Sequence, residues 1–378
     1  MAIDWHYPRK DLTEKVLIAY EQGLSDTLTL FAPRRMGKTE FVLLDLIPAA
    51  AQRGYTPVYV SFWENKDDPT SSLLAAINVA LEGSSWWKRT TKKIASARLS
   101  VHANAAGEFS GSLDVAKGAG NANDPDTLRA LKEALSTLVA KHDRILLCLD
   151  EAQHLATRPE FENLVFFLRT FLDQNRKRVR VMYTGSSRDG LRKLFNKRKA
   201  ALFHSSSQID LPQLGSGFVD HMRQCYKQAT TQDFSLRDGL IAFSTLNYVP
   251  REFRSVLEKM ILSGSSDIIN EAAIARDEQV EDSNYPATWN ALKSIDQAIL
   301  IWIAYGGSGL YQEACKDYIA GYLGIDPGQV ETHHVQNAVN RLRGEHLSLI
   351  SHGNYEFEDG RFREWIQVTT DSPPEGKA

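Results

Sequence analysis

The feature that most constrains this chain is the stretch LTLFAPRRMGKT, residues 28–39, which orders a strand, a tight loop and a helix start. An apolar run leads into the loop, and EFVLLDLIPAA continues after it at helical spacing. The loop fits the pattern G-x-x-x-x-G-K-[ST] at every position but the first, where Ala32 stands. Backbone N–H groups of such a loop, together with the helix N-terminus, surround a phosphate. The stretch therefore predicts a site for a nucleoside triphosphate.

Each residue at the end of the loop suits a different part of that ligand. Gly37 lets the backbone approach the phosphate closely, Lys38 reaches the β- and γ-phosphates, and Thr39 offers a hydroxyl to Mg²⁺. ATP and Mg²⁺ are therefore the cofactors that the sequence predicts. The residues predicted to contact the nucleotide along this stretch are Pro33, Arg34, Arg35, Met36, Gly37, Lys38, Thr39 and Glu40.

A second motif is the apolar strand RILLCLDEAQHL, which ends in Asp150 and Glu151. In a parallel sheet, the carboxyl end of this strand lies at the same edge as the phosphate loop. Asp150 can then hold Mg²⁺ through water, and Glu151 can orient and activate the attacking water. The alternative is a solvated turn, which would leave the order and spacing of the two motifs unexplained.

Two further stretches are candidates for contacts with the nucleotide. RVRVMYTGSS predicts a buried strand, and Ser186, Ser187 or Arg188 at its tip can sense the γ-phosphate. Arg188 is best placed to offset charge in the transition state, although a helix cap followed by a surface arginine explains these residues equally well. NYVPREFR, residues 247–254, is by sequence alone a helix start with Pro250 in its first turn.

The order of predicted elements divides the chain into domains. Strands alternate with helices up to residue 213, which is typical of an α/β core with a parallel sheet covered on both faces. Residues 214–282 are helical by pattern, and residues 283–368 combine three helices with a hairpin, the parts of a winged helix. Residues 369–378 are polar and predict a disordered tail.

Residues 83–123 interrupt the core and predict an insertion. Its basic segment, residues 86–98, begins with a tryptophan pair and carries five lysines and arginines, so it can dock on nucleic acid or on a partner. The glycine-rich remainder of the insertion is typical of a solvated surface loop.

Composition places the protein in an ordinary globular class. The chain has 378 residues, 43% of them hydrophobic, and a net charge of −3, which argues against a surface coated in positive charge. Its three cysteines lie far apart, without the paired spacing of a zinc site or a disulfide framework. The N-terminus has no apolar signal region, and no apolar run reaches ~18 residues. We therefore expect a cytoplasmic protein without a membrane partner.

Together, the segments YPRKDL, APRRMGKT, LCLDEAQHL, YTGSS and NYVPREF resemble the archaeal and bacterial P-loop ATPases of the STAND branch, which are related to AAA+ proteins. The resemblance spans about residues 5–366. It implies a five-stranded parallel ATPase core, a helical lid and a C-terminal winged helix. It also implies that Pro8 and Arg9 lie near the nucleotide base, that Pro250 packs on adenine, and that Arg251 acts as a sensor in the lid.

The chain departs from this family pattern in two places. Ala32 replaces the first glycine of the loop, which is tolerable only if that residue keeps a negative φ. The lid motif has Val249 before Pro250 and lacks a glycine. The letters DEAQ, residues 150–153, also mimic a helicase motif, but the helical second half offers no second P-loop core, so a helicase is rejected.

Three functions follow as hypotheses. The first is a slow ATP-driven switch in which Mg-ATP closes core and lid, repositions the winged helix and promotes self-assembly. The second is a DNA-binding module, although Arg341 and Arg343 of the third winged-helix helix are offset by Glu331 and Glu345. The third is a transposition- or defence-associated helper ATPase that recruits a partner protein.

Overall fold

The structure, a computed structural model, describes residues 3–83, 125–195, 202, 205–351 and 353–371. The predicted insertion beyond Gly83, with its basic segment, and residues 372–378 of the predicted tail lie outside the described residues. The chain divides into two units. The core unit is Met1–Ser186 with Gly190–Pro212, and the C-terminal unit is Ser187–Asp189 with Gln213–Ala378.

A five-stranded parallel sheet forms the centre of the core unit, with the spatial order β2-β3-β4-β1-β5. Its strands are β1 (Thr27–Phe31), β2 (Thr56–Ser61), β3 (Ile145–Asp150), β4 (Val179–Gly185) and β5 (Ser207–Asp210). Every residue of β3 is buried. Burial on both faces explains why this strand is a continuous apolar run rather than an alternating one.

Helices cover both faces of the sheet, and each face has its own apolar core. Leu147 and Leu149 belong to one core, whereas Leu146 and Cys148 belong to the other, because successive side chains of a strand point to opposite faces. The predicted parallel sheet flanked by helices is therefore confirmed. Besides the helix after the phosphate loop, the helices of this half are α1 (Lys10–Glu21), α3 (Pro69–Leu81), α4 (Pro125–Lys141), α5 (Glu162–Gln174) and α6 (Arg188–Phe195).

The helix after the phosphate loop, α2, is irregular. It runs as Lys38–Glu40, a π-helical segment Phe41–Leu46, and Ile47–Gln52. Pro48 has no N–H to donate, and its ring crowds the carbonyl of the residue four positions earlier. The wider π turn directly before it accommodates this crowding without ending the helix.

The C-terminal unit begins with a helical region. Its helices are α7 (Ser216–Thr230), α8 (Leu236–Thr245), α9 (Pro250–Ser263) and α10 (Ile268–Asp282). Phe218, Phe243 and Phe253 form an aromatic cluster with ring centroids 5.1–5.9 Å apart. This cluster joins α7, α8 and α9 through their buried faces.

A helix–hairpin module completes the C-terminal unit. Its elements are α11 (Tyr285–Ala291), α12 (Ser294–Ala304), α13 (Glu313–Leu323), α14 (Thr332–Leu342), β6 (Leu347–Ser351), β7 (Asn354–Phe357) and α15 (Gly360–Thr369). Residues 298–304 of α12 are all buried, and α12 contacts α13, α14 and α15. Four helices precede the hairpin where three were predicted, because the extended residues Leu292 and Lys293 separate α11 from α12. The last helix also reaches one residue into the predicted tail.

Within the described ranges, no helix combines the length and the apolar character needed to cross a membrane. The division of the C-terminal unit into a lid and a winged helix stays a prediction.

Candidate active site

The phosphate loop connects β1 to α2 at the carboxyl edge of the sheet. Arg35 (φ 68°) and Gly37 (φ 89°) adopt left-handed backbone conformations, whereas Ala32 is not among the positive-φ residues. The condition under which alanine can replace the first glycine is therefore met. A left-handed conformation costs a non-glycine residue roughly 1–2 kcal/mol, so the backbone at Arg35 is strained.

Lys38 lies inside the loop with 5% of its surface exposed. Its Nζ donates to the carbonyl oxygens of Ala32 at 2.7 Å and Pro33 at 3.0 Å. Burial lowers the pKa of Lys38, while the charges of Glu151 and Asp150 act in the opposite direction. The ammonium thus donates to neutral backbone oxygens. A phosphate oxygen, which carries charge, is a stronger acceptor than these carbonyls.

Asp150, at the end of β3, is 3% exposed and is surrounded by donors. Its Oδ2 accepts from Thr39 Oγ1 and from the hydroxyl of Tyr59, both at 2.9 Å. Its Oδ1 accepts from the hydroxyl of Thr184 and, at 3.1 Å, from the backbone N–H of Glu151. The two residues predicted to hold Mg²⁺ are thus in direct contact, and both offer the oxygen ligands that Mg²⁺ prefers.

Tyr59 and Thr184 were missed by the sequence analysis. Each stands one or two residues before the end of a strand, and strand ends at the carboxyl edge are where polar side chains meet. Their position relative to Asp150 depends on the strand order, because β3 lies between β2 and β4.

Glu151 directly follows β3 and has a left-handed backbone, with φ 54°. Its Oε2 accepts from Ser186 Oγ at 2.8 Å and from Gln153 Nε2, and Gln153 Nε2 also donates to Ser186 at 3.2 Å. A Cβ at Gly185 would lie 2.5 Å from Gln153 Oε1, so this position requires glycine. The predicted catalytic carboxylate is therefore held by Ser186 at the tip of β4 and by Gln153 in the turn after β3.

The N-terminal segment with His6 and Arg9 is bound to α2 through Asp45, a residue not predicted from the sequence. Asp45 accepts from the backbone N–H of Arg9 at 3.1 Å and contacts Nε2 of His6 at 2.6 Å. The guanidinium of Arg9 donates to the carbonyl oxygens of Met36 at 3.2 Å and Pro212 at 2.5 Å. An acid within the apolar run FVLLDLIP was the available signal, since a buried carboxylate needs a partner.

Arg34 is held away from the interior of the loop. Its guanidinium carbon lies 4.7 Å from the ring centroid of Trp63, and Lys66 Nζ lies 4.3 Å from the same ring. The other predicted contact residues differ in exposure: Pro8, Pro33 and Arg35 are exposed, and Met36 and Glu40 are partly buried.

Four predicted residues lie in the C-terminal unit: Ser187 and Arg188, which follow β4, and Pro250 and Arg251 in the helical region. Pro250 begins α9 and is buried, Arg251 beside it is exposed, and Arg188 begins α6 and is partly buried. Before α9, Asn247 (φ 54°) and Tyr248 (φ 56°) are both left-handed, so the turn into this helix is strained. Within the core unit, the structure brings together Arg9, Lys38, Thr39, Asp150 and Glu151, among others.

A phosphate loop and an acidic strand end at one edge of this parallel sheet define the P-loop ATPase fold, in the form found in AAA+ cores. No family model matches the chain, and no curated protein matches it. Solved structures do match over nearly all of its length. The Walker-type ATPase PABY2304 of Pyrococcus abyssi is 13% identical with a TM-score of 0.59, covering 96% of each chain.

The Aeropyrum pernix ORC2 protein, in its ADPNP–ADP complexes, is also similar. It is 16% identical with a TM-score of 0.57, and the match covers 96% of this chain and 95% of that one. At such identities the likeness shows the fold alone.

Proposed function

We propose that this protein binds and slowly hydrolyses Mg-ATP, and that it uses the nucleotide as a switch. The observation that carries the proposal is the contact of Thr39 with Asp150 beside the buried Lys38, with Glu151 held next to them. The fold supports it, since the ORC2 protein that it resembles was solved with ADPNP and ADP.

In this proposal, Lys38 exchanges its bonds with two backbone carbonyls for the β- and γ-phosphates. Thr39 and Asp150 hold Mg²⁺, which neutralises phosphate charge when bound. The described residues contain no cluster of three or more His, Cys, Asp or Glu side chains that could bind a metal. Mg²⁺ bound at Thr39 and Asp150 would take phosphate oxygens and water as its other ligands, as is usual for this ion.

Glu151 orients the attacking water and accepts its proton. Ser186 and Gln153 both donate to Oε2 of this carboxylate, so its other oxygen, Oε1, can accept from that water. Arg188 offsets charge on the transferred phosphoryl group. Pro8 and Arg9 adjoin the base.

The C-terminal unit supplies the moving part of the proposed switch. Its helical region acts as a lid, with Pro250 packing on adenine and Arg251 sensing the nucleotide, and the helix–hairpin module acts as a winged helix. Contacts that differ between ATP and ADP shift the balance of open and closed states. Membership of the STAND branch and ATP-dependent self-assembly are parts of the same proposal.

The decisive experiment measures ATP binding and phosphate release by purified full-length protein. We expect Lys38→Ala to abolish binding, and Glu151→Gln to bind ATP normally but to hydrolyse it ~10²–10⁴-fold more slowly. Lys132→Ala and Glu133→Gln, at exposed positions of α4, are matched controls that should change neither property. Normal binding and hydrolysis by Lys38→Ala would show that the site is misassigned.

Self-assembly is tested separately, by light scattering on Glu151→Gln with Mg-ATP and without nucleotide. The proposal predicts a larger species only when ATP is present. An unchanged mass in both conditions would refute the assembly step while leaving the hydrolysis result intact.

A further inference from the structure

A chain of buried and half-buried polar contacts crosses the C-terminal unit. It starts at Glu252 in the first turn of α9, passes through Gln279 of α10, and ends at Arg361 in α15. We propose that this Glu252–Arg361 connection transmits nucleotide-dependent movement at Pro250 and Arg251 to the helix–hairpin module. The inference rests on the proposed function and specifies how the switch is coupled.

The first contact fixes α9 to α10. Glu252 is 7% exposed, and its Oε2 accepts from Gln279 Nε2 at 2.5 Å. A buried carboxylate without such a donor would be costly. Its position, two residues after Pro250 and one after Arg251, means that a displacement of the proposed nucleotide contacts moves Glu252 as well.

The second contact fixes α10 to α15. Gln279 Oε1 accepts from Arg361 Nη1 at 3.1 Å. A side-chain amide can donate to a carboxylate through its nitrogen while it accepts from a guanidinium through its oxygen. Gln279 is thus the specific bridge between Glu252 and Arg361, which no apolar residue can replace.

The far end is anchored in the module. Arg361 donates to Asp359 Oδ1 from its backbone N–H at 3.0 Å and from Nε at 3.3 Å. Asp359 Oδ2 accepts from the hydroxyl of Tyr285, at 2.7 Å, and the buried Tyr285 ring lies 5.1 Å from that of Phe362. Burial alone would lower the pKa of Arg361, but Asp359 raises it above its ordinary value, so the guanidinium stays charged.

The polar character of the connection explains why it can transmit movement. A partly broken buried network leaves unpaired polar groups and is strongly disfavoured. The directional hydrogen bonds of this network therefore fix the positions of α9, α10 and α15 relative to one another. The turn directly before α9 is strained, because Asn247 and Tyr248 are two successive residues with left-handed backbones.

The test is hydrogen exchange on the full-length protein, with and without ATPγS and Mg²⁺, followed in peptides from residues 247–263 and 354–369. In the wild type, we expect nucleotide to change exchange in both segments. Gln279→Leu should keep the change in the first segment and lose most of it in the second. Gln336→Leu, an exposed glutamine of α14, is the matched control and should behave as wild type.

A second variant covers the case in which Gln279→Leu fails to fold. Gln279→Glu can still accept from Arg361 but repels Glu252, so it should uncouple the segments in the same way. Equal nucleotide responses in both segments of either folded variant, as in wild type, would overturn the connection. A wild type that hydrolyses ATP without any change in α9 would overturn it too, whereas absence of nucleotide binding would instead refute the proposed function.

Discussion

The core unit and the helix–hairpin module each bury an aspartate to 3% exposure, and the two carboxylates have opposite surroundings. Asp150 is surrounded by hydroxyls and a backbone N–H, all of them neutral donors. Asp296 instead accepts two bonds from the guanidinium of Arg341, at 2.6 and 3.3 Å. The first carboxylate is oriented while its charge stays available to a cation, and the second is neutralised by a fixed partner.

Asp150 is therefore interpreted as part of a binding site, and Asp296 with Arg341 as a structural ion pair. The pairing of Arg341 also bears on the DNA-binding hypothesis. Arg341 is one of the two arginines that could neutralise phosphate from the third helix of the predicted winged helix, which corresponds to α14. Its guanidinium is committed to Asp296, which makes phosphate binding by this helix less favourable.

The sharpest test of the comparison replaces Asp150 with alanine. We expect Mg-dependent ATP hydrolysis to fall at least ~100-fold, because the metal loses its only carboxylate in this proposal. The free energy of unfolding should change by no more than about 1 kcal/mol, since removing a buried carboxylate that has only neutral donors offsets the loss of its hydrogen bonds. Phosphate-release assays and urea titration measure the two quantities. Wild-type hydrolysis would remove Asp150 from the site.

The matched change, Asp296→Ala, should have the opposite profile. It removes the partner of Arg341, whose side chain is 40% exposed and can therefore still reach water. We expect a loss of about 2 kcal/mol in unfolding free energy, less than for a fully buried pair. ATP hydrolysis per folded molecule should be unchanged. If stability were unaffected while hydrolysis fell, the distinction between the two aspartates would be wrong.

Thr184→Val tests the neutral donors around Asp150 with a smaller change. It keeps the shape of the side chain but removes the hydroxyl that donates to Oδ1. A hydrogen bond to a charged group contributes ~1.5–3 kcal/mol, so the Mg²⁺ concentration for half-maximal hydrolysis should rise about tenfold. Thr137→Val, at an exposed position of α4, is the control. Equal Mg²⁺ requirements in both variants would mean that Thr184 does not orient Asp150.

The smallest expected effect is a dependence of stability on alkaline pH in both units. Burial, and next the charge of Asp150, raise the pKa of Tyr59, and burial raises the pKa of Tyr318 to about 12. These hydroxyls stay protonated in the folded protein at pH values where the unfolded chain already ionises. Stability is therefore complete below pH ~10 and falls as pH rises from there through the folded pKa values.

Ultraviolet titration of tyrosinate, in native buffer and in denaturant, measures this effect. We expect the native protein to ionise fewer tyrosines between pH ~10 and ~12 than the denatured chain. Tyr318→Phe should reduce the alkaline loss of stability. Ionisation of all tyrosines in the native protein near their ordinary pKa would contradict the burial of these hydroxyls.

Much of the core could be predicted because its signals are local. The glycine, lysine and threonine at 37–39 follow one another in the chain, and β3 is a continuous apolar run that ends in Asp150. Alternation of strands and helices then indicated a parallel sheet, which brings such ends to one edge. The hydrogen bond from Ser186 to Glu151 was harder to predict, because Ser186 lies 35 residues away. The contact forms only because β3 and β4 are neighbours in the sheet.

The sequence by itself determined the fold class, the phosphate loop and the acidic strand end, because these depend on residue type and on short spacings. Only the tertiary structure decided which polar groups meet across the chain. Asp45 accepts a hydrogen bond from Arg9, 36 residues earlier in the chain. Asp296 pairs with Arg341, 45 residues later, and Gln279 accepts from Arg361, 82 residues later. Such partners are chosen by the packing of whole elements, and burial then makes each contact obligatory, since an unpaired polar group in the interior is costly.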